Sequence, residues 1–183
     1  MSNMNRNQIE QYANNLEIRK KAMSSLSAAG LPQPQKSEDS LEGRNLFTEW
    51  DAMKKRFGGV SNIPFKELGD FLDRWTGMVA YARWCEAVAD MDRTTATEVM
   101  ATVKDQLYTL QDGNRELRAA MVSTEPIFLE WQDKYLESSA KYTTIRGLRE
   151  GYEARLNSIS REITRRGSDV LDNRRGMNRG NGI

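Results

Sequence analysis

The stretch that decides the fold covers residues 123–167 and reads STEPIFLEWQDKYLESSAKYTTIRGLREGYEARLNSISREITRRG. Its apolar residues recur at steps of three, four or seven, which is the spacing of one face of an α-helix. The pattern therefore predicts one long amphipathic helix. The residues on this face are Ile127, Trp131, Tyr135, Tyr142, Ile145, Leu148, Tyr152, Leu156, Ile159 and Ile163.

Both ends of this helix carry local signals. Ser123 and Thr124 are predicted to cap its first backbone amides. Arg165 and Arg166 suit the negative end of the helix dipole, and Gly167 suits the left-handed residue that closes a helix. A helix of about 40 residues extends about 60 Å at 1.5 Å per residue, so it needs partner helices along its length.

A second helical pattern runs from residue 65 to residue 110. Thr94, Thr95 and Thr97 weaken the helix propensity near its middle, but the apolar spacing continues, and we predict one continuous helix. The sequence QDGN at 111–114 is a stop signal, and a short helical segment, 115–121, leads to the helix described above. Because this connection is short, the two long helices are expected to be antiparallel.

The N-terminal part of the chain is organised differently. Residues 6–29 are predicted to form one helix that Gly30 stops, and residues 31–44 form a proline-containing linker. A short amphipathic helix follows at 45–57 and ends at Gly58 and Gly59. The predicted division is an N-terminal helix (1–30), a linker with a short helix (31–63), a helical core (64–167) and a basic flexible tail (168–183). The fold class is all-α, an elongated helical bundle built on two long antiparallel helices with an extra N-terminal helix.

The composition excludes several classes of function. The 183 residues include no histidine and a single cysteine, Cys85. Zinc sites built from Cys and His, and catalytic triads with an imidazole base, therefore cannot be assembled. The sequence contains neither a phosphate-binding loop nor a GxGxxG motif. We expect no enzyme activity, no metal and no cofactor.

The hydropathy pattern bears on location. The chain has no run of about 18 apolar residues, as a membrane-spanning helix would require, and its polar start is not that of a signal peptide. We expect no association with membranes and a location in the cytoplasm. The net charge of +1 does not by itself identify a partner.

Basic residues are concentrated in the last third of the chain, interleaved with Tyr142 and Tyr152. Arginine pairs bidentately with phosphate and stacks on bases, so this segment is a candidate for binding nucleic acid. In the alternative interpretation the arginines cap a helix end and bridge to glutamates on neighbouring turns, and the tyrosines belong to the core. The arginines are Arg146, Arg149, Arg155, Arg161, Arg165, Arg166, Arg174, Arg175 and Arg179, opposed by Glu150, Glu153, Glu162, Asp169 and Asp172.

Two stretches carry a resemblance to a known family. The first has an aromatic pair, YARW at 81–84, on a long helix that continues to VKDQLY at 103–108 and a turn at Gly113. The second begins with STEP at 123–126 and ends with NSISREITRR at 157–166. From about residue 65 to residue 175, this layout resembles the recombination-mediator proteins of tailed phages, the UvsY-like family.

The resemblance implies an all-helical protein that forms a ring-like homo-oligomer and binds single-stranded DNA. It also implies that the protein helps a RecA-like recombinase to displace single-strand-binding protein. Lys104 aligns with a DNA-binding lysine of the family, whereas Gln106 stands where an arginine is expected. The candidate nucleic-acid-binding residues are Lys104, Arg146, Arg149, Arg161, Arg165 and Arg166.

Two functions remain open at this point. The first is a phage-type mediator that binds single-stranded DNA and assists the loading of a RecA-like recombinase. The alternative is a non-enzymatic phage structural or assembly protein, located in the virion, whose helices and tails pack against neighbouring subunits. The mediator should bind single strands in a salt-sensitive way, and the assembly protein should associate at high salt with no preference for DNA.

Overall fold

A computed structural model of the protein describes residues 4–36 and 45–180, with side chains up to Asp169. Over this part the chain forms helices α1 (Arg6–Asn14), α2 (Ile18–Ala28), α3 (Leu46–Phe57), α4 (Phe65–Leu110), α5 (Arg115–Ser123) and α6 (Pro126–Gly180), with a 3-10 turn at Val60–Asn62. These residues contain no strand, so the predicted all-α class is confirmed. Residues 37–44 of the predicted linker, and the side chains of Arg174, Arg175 and Arg179, lie outside the described part.

The chain divides into two compact units, and each unit contains part of α4 and part of α6. The first unit comprises Met1–Gln33 and Trp84–Arg146, and the second comprises Pro34–Arg83 and Gly147–Ile183. Residues 64–167, the predicted helical core, contribute to both units.

The core of the first unit is mainly aliphatic. Helices α1, α4, α5 and α6 contribute to it, and the two long helices are antiparallel. Gln111, just after α4, donates to the Glu125 carboxylate just before α6 at 2.9 Å, while Arg93 of α4 lies 4.4 Å from the ring of Tyr142. The buried core residues are Ile9, Ala13, Ala96, Val99, Val103, Leu107, Val122 and Trp131.

The core of the second unit is rich in aromatic rings. Here α3 packs on the same pair of long helices, again antiparallel, because Arg83 binds Glu153 at 2.8 Å while Arg166 binds the backbone of Ile63 at 2.7 Å. Burying these rings removes a large apolar area from water. The buried residues are Leu46, Trp50, Ile63, Leu68, Phe71, Trp75 and Ile159, with Phe47 and Tyr152 packed against them.

Several predicted boundaries are confirmed. Helix α4 is continuous through its threonines, and Thr97 donates its hydroxyl to the Arg93 carbonyl four residues earlier, at 2.9 Å. Gly58 ends α3 with φ at 71°, and Gly113 lies between α4 and α5 with φ at 114°. Both angles are in the region that glycine adopts without steric cost.

The N-terminal helix was predicted as one element, and this is wrong. The chain forms α1 and α2, separated around Asn15, whose amide donates back to Gln11. Asparagine has low helix propensity, and Asn14 and Asn15 are adjacent, so the helix breaks there.

The predicted ends of the longest helix are also corrected. Ser123 and Thr124 do not cap it, because their hydroxyls donate to carbonyls of α5, and the carbonyl of Glu125 accepts the first amides of α6 instead. Gly167 does not stop the helix, which continues to Gly180 through residues predicted as tail. Arg165 bridges Gly167 by binding Asp169 at 2.9 Å, which supports the next turn.

One residue of the predicted apolar face is exposed, and the others are buried or half-buried. Leu148 is exposed on α6, although Trp131 and Ile159 on the same face are buried. In the chain, Leu148 is the second residue of the α6 segment that belongs to the second unit.

Candidate nucleic-acid interface

An open groove in the second unit runs beside residues 154–165 of α6 and the 3-10 turn. It has a volume of about 480 Å³. Its α6 residues recur at steps of three or four, so they share one helical face, adjacent to the face that buries Ile159. The groove is lined by Val60, Ala154, Asn157, Ser158, Arg161, Glu162 and Arg165.

The Glu162 carboxylate is the electrostatic centre of the groove wall. Arg165 donates to both of its oxygens, at 3.0 and 2.7 Å, and Arg166 donates to one of them at 2.7 Å. The Glu162 side chain is only 10% exposed. The hydrogen bonds from Arg165, followed by those from Arg166, lower the pKa of Glu162 to about 2. Glu162 is therefore ionised at neutral pH and holds both guanidinium groups in place.

Arg166 fastens α6 to the turn that precedes α4. Its Nη1 donates to the Ile63 carbonyl at 2.7 Å, and its Nη2 donates to the Ser61 carbonyl at 2.9 Å and the Val60 carbonyl at 3.1 Å. Carbonyls of a turn otherwise have few partners, so a half-buried guanidinium here stabilises the turn. The geometry gives Arg166 a structural role.

Arg161 stands apart from these contacts. It is exposed on the groove wall and makes no hydrogen bond or ion pair with any residue that the structure describes. Asn157 and Ser158, one turn earlier on α6, present an amide and a hydroxyl to the same groove. The arrangement combines an uncompensated guanidinium with neutral hydrogen-bonding groups, which is a chemistry suited to a phosphate.

The six predicted residues are distributed over both units. Arg161 and Arg165 line the groove, and Arg166 binds its wall residue Glu162. Lys104 and Arg146 belong to the first unit. Arg149 lies in the second unit and donates to Glu153 at 2.8 Å. Hydrogen bonds from Arg83, then from Arg149, lower the pKa of Glu153, so this carboxylate holds both arginines.

Gln106, two residues after Lys104, makes a contact inside the protein. Lys104 is exposed on α4, but Gln106 is buried, and its Oε1 accepts a hydrogen bond from the Met4 amide at 3.0 Å. The segment before α1 therefore contacts the position where the resemblance expects a second cation.

The aromatic residues of the basic segment have packing roles. Tyr152 lies 5.3 Å from Phe47 and 5.7 Å from Trp75, ring centre to ring centre, and burial raises its pKa. Tyr142 lies beside Arg93. For Tyr152, these contacts match the interpretation in which the tyrosines belong to the core, whereas Tyr142 is half-buried and is not part of either core cluster.

Sequence reasoning did not single out Asn157, Ser158 or Val60. Asn157 and Ser158 lie three and four residues before Arg161, so helical spacing could have found them. Val60 reaches the groove through a tertiary contact that no local pattern encodes.

Comparison of the chain with protein-family models, with curated proteins and with solved structures found no match. The likeness to the mediator family therefore rests on the sequence pattern alone. No helix in the described part is long and apolar enough to cross a membrane. Within residues 4–36 and 45–180, no group of three or more Cys, Asp or Glu side chains is arranged to hold a metal ion.

Proposed function

We propose that the protein is a non-enzymatic recombination mediator that binds single-stranded DNA through the groove around Arg161 and assists the loading of a RecA-like recombinase. The observation that carries the proposal is the exposed Arg161, which has no partner among the described residues and shares its groove with Asn157 and Ser158. A guanidinium without a carboxylate partner can neutralise a phosphate without first breaking an ion pair.

The neighbouring arginines support this role indirectly. Arg165 binds Glu162 and Asp169, and Arg166 binds Glu162 and the 3-10 turn. These contacts keep the groove wall rigid, so little side-chain entropy is lost there on binding. One arginine on each subunit contacts DNA weakly, but several subunits on one strand raise the effective concentration. The proposal therefore includes a homo-oligomer.

Fluorescence anisotropy of a labelled oligonucleotide tests DNA binding. The protein is titrated against single-stranded and duplex DNA of equal length at several salt concentrations. As the mediator role requires, we expect a preference for the single strand. The affinity should fall steeply with salt, because binding releases counterions from the phosphates. Arg161→Ala should weaken binding, and Arg161→Lys should restore part of it because the charge is kept.

A charge-matched control is Arg115→Ala. Arg115 is exposed in the first turn of α5, in the first unit. If Arg161→Ala and Arg115→Ala weaken binding equally, the effect is one of net charge, and the groove is not the site. If the wild type binds neither DNA at low salt, the proposal fails. Loading of a RecA-like recombinase onto strands coated with single-strand-binding protein tests the mediator role itself.

A second candidate function is favoured by a different observation. Leu129 and Leu136, seven residues apart on α6, are 42% and 57% exposed, and Leu117 and Met121 are exposed four residues apart on α5. Helical spacing places each pair on one face of its helix. We propose as the alternative a phage structural or assembly protein, whose copies associate through such residues.

Light scattering separates the two functions. The assembly protein should remain associated at high salt, should lose association with Leu136→Lys, and should not bind DNA. A mediator should bind single strands, and Leu136→Lys should weaken that binding only if it also breaks up the oligomer.

A further inference from the structure

The most exposed large apolar side chain in the described part is an aromatic one, Phe65. It is 60% exposed at the first residue of α4. Transfer of such a ring out of water is favourable, so leaving it exposed forgoes stability. Its position at one end of the second unit therefore points to a contact that is made outside the chain.

Phe65 is not needed to start its helix. The Leu68 amide donates to the Pro64 carbonyl at 3.0 Å, which places Pro64 at the cap position. Ile63 and Leu68 then occupy the two positions of a hydrophobic staple, and both are fully buried in the core of the second unit. The residues on either side thus make the local apolar contact, and Phe65 is not part of that core cluster.

The backbone beside Phe65 is tied to the groove. Arg166 binds the carbonyls of Val60, Ser61 and Ile63, and Val60 lines the groove with Arg161. Phe65 follows Ile63 by two residues, which span at most about 7 Å of chain. The exposed ring therefore has a rigid support at the end of the unit that contains the groove.

We infer that Phe65 stacks on an unpaired nucleobase of a strand whose phosphate lies at Arg161. The inference rests on the proposed function and adds the element that selects single strands. Aromatic rings stack on any base in a sequence-tolerant way, whereas bases in a duplex are already stacked and do not offer their faces. Phosphate contacts alone do not make this distinction.

The experiment compares three ligands of equal length: a normal single strand, a single strand with abasic sites, and a duplex. Anisotropy is measured at one fixed salt concentration for the wild type, Phe65→Ala, Phe65→Tyr, Arg161→Ala and Leu148→Ala. Leu148 is an exposed apolar residue of the same unit, so its truncation is the matched control.

Phe65→Ala should weaken binding of the normal strand by about 5- to 150-fold, the range for loss of one aromatic stacking contact. Its affinity for the abasic strand and the duplex should equal that of the wild type. Phe65→Tyr should bind normally because the ring is kept, and Leu148→Ala should have no effect. Arg161→Ala should weaken binding of the normal and the abasic strand alike.

The outcomes distinguish the two proposals. If Arg161→Ala weakens binding and Phe65→Ala does not, the groove is the site and the stacking role is wrong. The stacking role is also wrong if Phe65→Ala weakens the normal and the abasic strand equally. If Phe65→Ala changes the mass measured by light scattering without changing DNA affinity, the ring is a protein contact. If the wild type binds no strand, both proposals fail.

Discussion

The two units use the same pair of long helices but close their cores in different ways. In the second unit, α3 contributes Trp50 and Phe47, and Phe47 lies 5.0 Å from Trp75, ring centre to ring centre. In the first unit, the buried residues of α1 are Ile9 and Ala13, and they pack in a mainly aliphatic core that also contains Trp131. The two long helices alone therefore do not determine which residues are buried. The helix that packs on them, α3 in the second unit and α1 in the first, decides the composition of each core.

The second unit also has the stronger polar contacts between its helices. Arg166 joins α6 to the 3-10 turn of the second unit through three carbonyls. In the first unit, α1 is held by an ion pair between Arg6 and Glu125, and the preceding residue Met4 is held by Gln106. Arg6 is largely exposed, so that ion pair contributes little. We therefore expect the second unit to be the more stable of the two.

The largest expected effect is that of Trp75→Ala, which removes the centre of the aromatic core. Trp75 is fully buried, and truncation of a buried tryptophan costs about 3–5 kcal/mol. We expect a loss of this size in the free energy of unfolding measured by urea denaturation. Phe65→Ala, at an exposed ring of the same unit, should leave stability nearly unchanged.

Trp75→Phe tests whether the ring volume or the indole nitrogen of Trp75 accounts for its contribution to stability. The indole Nε1 of Trp75 is buried and has no hydrogen-bond partner among the described residues. Phenylalanine therefore removes volume without breaking a hydrogen bond, and its cost should be well below that of Trp75→Ala. Equal losses for both variants would show that the indole nitrogen, not the ring volume, matters at this position.

The next effect concerns the first unit. Ile9→Ala removes the largest α1 side chain from its core, and we expect a loss of about 2–3 kcal/mol, the lower part of the range for such truncations. A short helix such as α1 is marginal without tertiary contacts, so its backbone amides should exchange with solvent faster. Hydrogen exchange measures this directly.

Tyr12→Ala is the matched control, since Tyr12 is on the same helix but exposed. It should leave the exchange of α1 close to that of the wild type. If Ile9→Ala instead speeds exchange in α3 as much as in α1, the two cores are not independent, and the contrast between the units is wrong.

A smaller effect depends on pH and belongs to the second unit. The pKa of Glu162 in the folded protein is about 2, below its ordinary value of 4.5. The ionised carboxylate therefore contributes stability that is complete above about pH 4.5 and is lost as the pH falls towards 2. Glu162→Gln lacks this contribution, so the stability difference between wild type and variant should be constant near neutral pH and shrink below pH 4.5.

Urea midpoints at pH 7, 4 and 2.5 measure that difference, and carboxylates common to both proteins cancel in it. Glu98→Gln, at an exposed glutamate of α4 in the first unit, is the control. A difference for Glu162→Gln that does not change with pH would mean that the contacts with Arg165 and Arg166 do not depend on its charge.

Sequence periodicity predicted the elements whose causes are local. The 3.6-residue pattern indicated both long helices, and the glycines at 58 and 113 marked real ends. Sequence patterns failed where a tertiary contact or a competing hydrogen bond determines where a helix begins or ends. The hydroxyls of Ser123 and Thr124 have carbonyls of α5 within reach, and Gly167 is bridged by the pair Arg165 and Asp169.

The candidate site was predictable only in part, for the same reason. Glu162 lies three and four residues before Arg165 and Arg166, so their pairing follows from helical spacing. The contact of Arg166 with Ile63 joins residues 103 apart in the chain, and no local pattern announces it. Sequence reasoning therefore gave Arg161, Arg165 and Arg166 equal weight, whereas the structure leaves Arg161 as the one of these three without a partner in the described part.

The smallest expected effect tests whether the first unit contacts DNA at all. Lys104 is exposed on α4, and a lysine that neutralises one phosphate of a single strand adds about 0.7 to the slope of log affinity against log salt. Lys104→Ala should therefore lower the slope by about 0.7, as Arg161→Ala should in the second unit. Lys21→Ala, at an exposed lysine of the first unit, is the control. If only Arg161→Ala changes the slope, the first unit does not contact DNA through Lys104. The buried Gln106, two residues after Lys104, then serves to hold the segment before α1 and not to bind a strand.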